Sequence, residues 1–201
     1  MQITRVTYGY TTLPNSWIVA GADDTPVPID FSFFLLRDGK RTVLVDAGCD
    51  TISGFVMTDF IGPVEALRRL GVAAEEVTDI LITHSHGDHM AGVRNFPKAH
   101  VYIHRLEYEK GKKYLCEGQP VTLVDDRLTP FEGVTMVHIG GHSAGSCVVE
   151  VGSAVICGDE CYTRYNLIHR VPTASSCNKV KSQEFIDRYA IGWETLLCHQ
   201  P

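Results

Sequence analysis

Three histidines and one aspartate lie together in the segment from Thr83 to His89, which reads T-H-S-H-G-D-H. Imidazole nitrogens and carboxylate oxygens are zinc ligands, and several of them on one tight loop can converge on a small volume. His84 and His86 stand two positions apart, so both side chains can point the same way from an extended segment. Asp88 and His89 then turn toward a neighbouring point. This spacing indicates two metal ions side by side rather than one.

Three further candidate ligands each stand where an apolar, strand-like run stops and a loop begins. They are His142, Asp159 and His199, which follow the runs 134–139, 154–158 and 195–198. Such loops are the usual edge for a binding site on a layered α/β scaffold. A histidine-rich loop can also be a solvated turn, or a helix N-terminus capped by Asp88. The additional candidates downstream favour the metal site over that alternative.

The ligand pattern resembles that of the metallo-β-lactamase fold superfamily. Its parts are Asp46-Ala47-Gly48 after an apolar strand, then HSHGDH, then Gly-His at position 142, Gly-Asp at position 159 and a late His199. The resemblance spans roughly residues 32 to 199. It implies a four-layer αββα sandwich, which periodicity alone does not, and the length suits a single domain over residues 1–201.

The resemblance also implies two Zn²⁺ ions per chain, although Fe, Mn or Co would suit the same donors. The ligands of the first ion would be His84, His86 and His142. Those of the second would be Asp88, His89 and His199, with Asp159 and a hydroxide bridging the two ions. Bound zinc lowers the pKa of water to about 7, so such a site can hydrolyse a substrate without a serine or cysteine nucleophile. We interpret Gly141 to Ser146 as a turn that presents His142.

Asp46, Asp88 and Tyr162 are the other candidate functional residues. The carboxylate of Asp46 would accept the free ring N–H of a ligand histidine and set its orientation; alternatively, backbone N–H groups satisfy it. Asp88 would serve catalysis as well as metal binding. Tyr162 lies in Asp159 to Asn166, which resembles the Asp-x-x-Tyr-Thr-basic-x-Asn segment of N-acyl-homoserine lactonases. Its phenol would donate to the substrate carbonyl or the oxyanion, or it is a core tyrosine with a satisfied hydroxyl.

The expected function is therefore a di-zinc hydrolase that uses a bridging hydroxide to open a small-molecule ester or lactone, most like an N-acyl-homoserine lactonase. One alternative keeps the metal site but acts on a thioester, as glyoxalase II does, or on a phosphodiester. Another is a metal-binding module without catalysis. The complete ligand set argues against the last of these.

Three features depart from the lactonase pattern. The segment from Gly48 to Pro63 is short, so Phe55, Met57 and Phe60 would form a smaller apolar wall or simply pack the core. Gln200 stands where those enzymes usually have aspartate after the last ligand. The chain also ends two residues after His199, which would leave the second metal site loosely held.

Composition and charge limit the classes of partner and the cellular compartment that we expect. The net charge of −6 argues against a nucleic-acid partner, and no apolar run is long enough to cross a bilayer. The N-terminal residues do not resemble a signal peptide. The seven cysteines have no regular spacing, which predicts reduced thiols in the cytoplasm, with Cys147 and Cys157 buried in strands. The oligomeric state is left open.

The elements that must position these residues can be read from apolar patterning and turn residues. The Asp38-Gly39 pair predicts a hairpin, because Asp-Gly accepts positive φ. The predicted helices are 63–70, a short one after His89, 107–113 and 182–189. The predicted strands are those within 3–47, then 78–83, 101–103, 121–124, 134–139, 147–151, 154–157 and 194–198.

Overall fold

We describe residues 1–200 of a computed structural model. They form two β-sheets, of which the first is mixed and has six strands in sequential order. The strands are β1 (Gln2–Pro14), β2 (Pro26–Arg37), β3 (Thr42–Val45), β4 (Asp79–Ile82), β5 (His100–His104) and β6 (Val121–Val124). β1, β2 and β3 pair antiparallel, and β3 to β6 pair parallel. Four parallel strand ends therefore open on one edge of this sheet.

The second sheet has five strands in the order β11-β10-β9-β8-β7. They are β7 (Arg127–Phe131), β8 (Val134–His138), β9 (Cys147–Val151), β10 (Ala154–Ile156) and β11 (Glu194–Leu196). All neighbours are antiparallel except β10 and β11, which are parallel. Strands β8, β10 and β11 each lead into a loop that carries one candidate ligand.

Six short helices connect and cover the sheets. They are α1 (Asn15–Ile18), α2 (Pro63–Arg69), α3 (Gly87–Met90), α4 (Arg105–Gly111), α5 (Arg164–His169) and α6 (Lys179–Tyr189). Single 3₁₀ turns occupy Ala74–Glu76, Ala91–Asn95, Lys112–Tyr114 and Gly158–Glu160. The predicted helix near the metal motif begins at Gly87, before His89, so Asp88 and His89 both lie in its first turn.

Three apolar layers separate four layers of secondary structure. The middle layer joins the two sheets, with Phe34 and Leu81 facing Met136 and Val149. One outer layer packs helices such as α2 on the first sheet, and the other packs α6 on the second, where Phe185 is buried. This arrangement is the αββα sandwich that the resemblance implied.

The local turn chemistry follows the sequence. β2 and β3 form the expected hairpin, and Gly39 has a φ of 84°, which glycine adopts without steric cost. The sequence did not predict α1, α5 or β7. β7 lies at the edge of its sheet and contains Pro130, which weakens the strand signal but is tolerated there.

All seven cysteines are free, and Cys147 and Cys157 are buried as expected. Among residues 1–200, no helix has the length and apolar character needed to cross a bilayer.

Candidate metal centre

The candidate ligands meet at one edge of the sandwich, on loops from both sheets. β4 leads into the loop of His84 and His86, and α3 continues it with Asp88 and His89. The second sheet contributes the other three, His142 after β8, Asp159 after β10 and His199 after β11. The structure thus brings together all seven candidate metal ligands.

The first group consists of three imidazoles that point at one another. Nδ1 of His86 lies 2.9 Å from Nε2 of His84 and 3.1 Å from Nε2 of His142. Oδ2 of Asp159 lies 3.6 Å and 3.4 Å from those same two Nε2 atoms. His84 and His142 are buried, whereas His86 is exposed. The donor atoms of all four residues lie within 4.8 Å of one another.

The second group lies on the other side of Asp159. Nε2 of His89 is 3.4 Å from Oδ2 of Asp88, and Nε2 of His199 is 3.8 Å from the same oxygen. Oδ1 of Asp159 lies 2.9 Å from Nε2 of His89 and 3.0 Å from Nε2 of His199. The two carboxylate oxygens of Asp159 therefore face the two groups separately.

The donor chemistry of these groups fits a divalent metal of the zinc class. Three imidazole nitrogens with a carboxylate oxygen, and two imidazoles with carboxylates, are donor sets that zinc accepts. Nε2 of His89 is fully buried, and although Oδ1 of Asp159 lies 2.9 Å away, no group among the described residues meets it with hydrogen-bond geometry. A buried polar atom without a partner is costly, and a metal ion would satisfy it.

Asp46 holds the ring of His89 from behind. Its Oδ2 lies 2.7 Å from Nδ1 of His89, and its Oδ1 accepts the backbone N–H of Thr83 at 2.8 Å. Both interpretations of Asp46 are therefore realised by one carboxylate. With Nδ1–H donating to Asp46, Nε2 of His89 would present its lone pair to a bound metal ion.

The rings of two further candidate ligands, His84 and His199, are oriented through their Nδ1 atoms. The hydroxyl of Thr83 lies 2.8 Å from Oδ2 of Asp46 and 3.1 Å from Nδ1 of His84. Because a carboxylate can only accept, the hydroxyl proton goes to Asp46, and Thr83 accepts the N–H of His84. Nδ1 of His199 lies 2.9 Å from the carbonyl oxygen of Asp30. Both rings therefore turn Nε2 toward Asp159.

The charge of Asp159 is held by the surrounding imidazoles. Burial acts to raise the pKa of its carboxyl, but the nearby histidines, His89 foremost, keep it well below its usual value. Asp159 is therefore an ionised carboxylate in a buried site, as a metal ligand must be.

Two buried glutamates that contact the ligand loops, Glu107 and Glu160, were assigned no role from the sequence. Glu160 accepts the backbone N–H of Gly141 at 3.2 Å, that of His142 at 3.1 Å and the hydroxyl of Ser146 at 2.5 Å. Burial raises the pKa of Glu160, and these bonds offset the effect only in part. Its position next to Asp159 is the only signal that the sequence carried.

The turn that presents His142 spells Gly-x-Ser-x-Gly over residues 141–145. It is not a serine-hydrolase elbow, because it follows β8 and enters no helix. The hydroxyl of Ser143 donates to Glu107 at 2.8 Å. This segment is therefore the turn that we expected.

Tyr162 lies at the boundary between the site and the core. Its ring centroid is 5.2 Å from that of His199, and only 8% of the residue is exposed. It lines the same cavity as the candidate ligands and also packs against the apolar layer between the first sheet and its helices. Burial, and next the charge of Asp159, hold the pKa of Tyr162 well above its usual value, so the phenol keeps its proton at neutral pH.

A cavity of about 550 Å³ opens onto the ligands. Its apolar wall consists of Leu13, Trp17, Ile29, Phe31, Ile52 and Phe55. Of the three residues proposed for this wall, only Phe55 lines the cavity. Met57 and Phe60 pack against the core around Gly9, where an added Cβ would lie 2.8 Å from either side chain.

The last candidate ligand, His199, is buried, and the residue after it is hydrogen-bonded to the rest of the fold. His199 is 4% exposed. The side chain of Gln200 accepts the backbone N–H of Arg164 at 2.9 Å, which ties the chain end to the start of α5. Pro201 lies outside the described residues.

Comparison with known proteins places this geometry in context. A family model described as the metallo-beta-lactamase superfamily matches residues 32–167. The mouse metallo-beta-lactamase domain-containing protein 1 is 34% identical over 134 residues, which are 60% of this chain and 48% of that protein. An N-acyl homoserine lactonase from a Bacillus species is 28% identical over 169 residues, or 70% of this chain and 68% of that protein. The chain thus spans about half the length of several curated relatives it matches.

Solved structures show the same fold. A probable metal-dependent hydrolase from Staphylococcus aureus superposes with a TM-score of 0.83 at 18% identity, covering 99% of this chain and 89% of that one. A variant of AiiA from Bacillus thuringiensis, with N-decanoyl-L-homoserine bound at its active site, gives a TM-score of 0.83 at 19% identity, covering 98% of this chain and 92% of that one.

Proposed function

Because the chain belongs to the metallo-beta-lactamase superfamily, we propose that it is a di-zinc hydrolase that opens a small-molecule ester or lactone. The observation that carries this proposal is the placement of Asp159. Its two carboxylate oxygens face two separate sets of donors, at 2.9 to 3.6 Å from four imidazole nitrogens. A carboxylate in that position suits a pair of metal ions better than a single one.

The proposed ligand assignment follows the two groups. His84, His86 and His142 would hold one ion, Asp88, His89 and His199 the other, and Asp159 would contact both. When bound, zinc supplies a water of pKa about 7 and polarises the carbonyl under attack.

Tyr162 and Asp88 would handle the substrate and its protons. Tyr162 lines the cavity, and its protonated phenol would donate to the carbonyl oxygen as negative charge develops on it. Asp88 also lines the cavity, with 21% of its side chain exposed. Its carboxylate would accept the proton released on attack and return it to the departing oxygen.

The apolar wall of the cavity supports an acyl substrate. Phe31 and Phe55 pack edge to face with centroids 5.9 Å apart, and the ring of Phe31 also packs against that of His199 at 5.1 Å, so this apolar surface adjoins the candidate ligands. Such a surface buries an alkyl chain favourably. Relatives named N-acyl homoserine lactonase, and the likeness of residues 159–166 to their tyrosine segment, favour a lactone over a thioester or phosphodiester. The seven free cysteines support a cytoplasmic location.

A substrate panel tests the proposal. The zinc-loaded protein would be assayed on N-acyl-homoserine lactones, aryl esters, a glutathione thioester and an aryl phosphodiester, with Asp159→Asn, treated with zinc in the same way, as the control. We expect the lactones to be opened with the highest kcat/KM and the variant to be impaired on all substrates. A higher kcat/KM for the thioester or the phosphodiester would contradict the lactonase proposal and favour that alternative function. If the fully zinc-loaded protein hydrolyses none of these substrates, the remaining interpretation is a metal-binding module without catalysis.

A further inference from the structure

Glu107 of α4 is a buried carboxylate that joins two ligand loops without contacting a ligand. It is only 2% exposed. Its Oε2 accepts the backbone N–H of Ser85 at 3.0 Å and also the hydroxyl of Ser85. Its Oε1 accepts the hydroxyl of Ser143 at 2.8 Å and the backbone N–H of Gly145 at 3.0 Å. One oxygen thus serves the loop between His84 and His86, and the other serves the loop after His142.

We propose that Glu107 is a positioning residue that holds the His84/His86 loop against the His142 loop and thereby sets the affinity of the metal bound by those three histidines. This inference rests on the proposed metal site. The three nitrogens come from loops 56 residues apart in the chain, as the separation of His86 and His142 shows. Their spacing depends on what fastens the two loops together.

The contacts of Glu107 require a carboxylate. All four partners are N–H or O–H donors, so both oxygens must accept. A glutamine at this position would turn an NH₂ group toward one pair of donors and break the connection to one loop. The fit is also close, because a Cβ added at Gly145 would lie 2.9 Å from Cγ of Glu107 and 2.6 Å from Nδ1 of His104.

The second ligand group is held by other residues. The ring of His89 is fixed by Asp46 on the β3 side, and the ring of His199 is fixed by the carbonyl of Asp30 on β2. Neither support contacts Glu107. Loss of Glu107 should therefore weaken the binding of one metal ion and leave the binding of the other almost unchanged. General destabilisation of the fold would weaken both.

Glu150 provides a matched control. It is also a buried carboxylate, at 7% exposure, and it accepts from Arg127 at 2.7 Å, Arg188 at 3.1 Å and Tyr189 at 2.8 Å. It lies on β9 and contacts no ligand loop. Glu150→Gln therefore removes comparable buried contacts away from the site. Glu109→Gln, on the exposed side of α4, controls for the helix itself.

The experiment measures metal affinity rather than hydrolysis. Zinc would be titrated into chelator-stripped protein against a competing chelator, with melting temperatures of the same samples. We expect Glu107→Gln to lower the affinity for one zinc ion by about 10–100-fold, the range for residues that orient metal ligands. The affinity for the other ion should stay within about twofold of the wild-type value. Glu150→Gln should lower the melting temperature with both affinities intact. Unchanged affinities in Glu107→Gln, or equal weakening of both ions, would overturn the proposal.

Two background variants identify the affected ion. In His199→Ala, which removes a ligand of the other group, the effect of Glu107→Gln should persist in full. In His142→Ala it should disappear, and its persistence there would contradict the assignment. Should Glu107→Gln fail to fold, Ser143→Ala removes one donor and keeps the carboxylate, and it should weaken the same ion to a smaller extent. Unaltered zinc affinity in Ser143→Ala would then count against the proposal. Failure of the wild-type protein to open lactones would leave these affinity results intact.

Discussion

Nδ1 of His89 lies 2.7 Å from Oδ2 of Asp46, and the same carboxylate accepts the backbone N–H and the hydroxyl of Thr83. Asp46 has a φ of 61°, a left-handed conformation that is uncommon outside glycine. Asp46 follows β3 directly, and in this conformation its carboxylate lies between Thr83, at the end of β4, and His89 of α3. The ligand loop is thus tied to the neighbouring strand before any metal is considered.

The protein should bind two divalent ions per chain. The expectation follows from the two donor groups on either side of Asp159. Elemental analysis after zinc loading and desalting measures the ratio, and His169→Ala, which removes a histidine outside both groups, should not change it. A ratio of one or less in the wild-type protein would contradict the binuclear site.

Asp159→Asn should impair hydrolysis more than Asp46→Asn. Asp46 acts on the metal through the His89 ring, and residues of that kind typically contribute about 10–100-fold. Asp159 faces both donor groups directly, so we expect a loss above about 100-fold, with reduced metal content. Parallel kinetics and metal analysis of the two variants test the ranking. Equal losses would remove the special role of Asp159.

Tyr162→Phe should lower kcat for lactone opening by on the order of 10²-fold, the low end for a removed oxyanion donor. The ring remains, so metal content should stay at the wild-type level. Tyr165→Phe is the matched control, because Tyr165 is 49% exposed and does not line the cavity. Wild-type turnover together with a lower melting temperature would make Tyr162 a core residue only.

Phe55→Ala should reduce kcat/KM for long-chain acyl substrates by on the order of tenfold and affect short-chain substrates less. The reason is that Phe55 lines the cavity and packs on Phe31, so its loss opens the surface that would bury the alkyl chain. Its neighbour Val56 is 88% exposed, and Val56→Ala should leave the chain-length profile unchanged. An unchanged profile in Phe55→Ala would exclude this wall from substrate binding.

Gly158→Ala should destabilise the fold more than Gly152→Ala. Both glycines have positive φ, 53° and 59°, which costs an alanine about 1–2 kcal/mol. An added Cβ at Gly158 would also lie 2.8 Å from the side chain of Thr83, whereas Gly152 has nothing within 4 Å. Overpacking adds about 1–3 kcal/mol, to be measured as the difference in unfolding free energy from denaturant titrations. Equal losses would show that Thr83 can move aside.

Local patterns in the sequence were sufficient for much of the fold. The Asp38-Gly39 turn and the apolar runs before each ligand depend on neighbours only a few residues away, and the structure confirms them. The predictions failed where local signals are weak, as in α5, which has only six residues. The resemblance supplied what periodicity could not, namely the packing of the two sheets into four layers.

The sequence by itself determined the chemical identity of the donors and the spacing of those within one loop, because neighbouring residues share a backbone of known reach. Only the tertiary structure decided how distant residues combine. His199 lies beside the carbonyl of Asp30, 169 positions earlier, and Glu107 bridges Ser85 and Gly145. The sequence assigned Glu107 no role. Its burial and its partners follow from how the two sheets pack, which is a property of the whole chain.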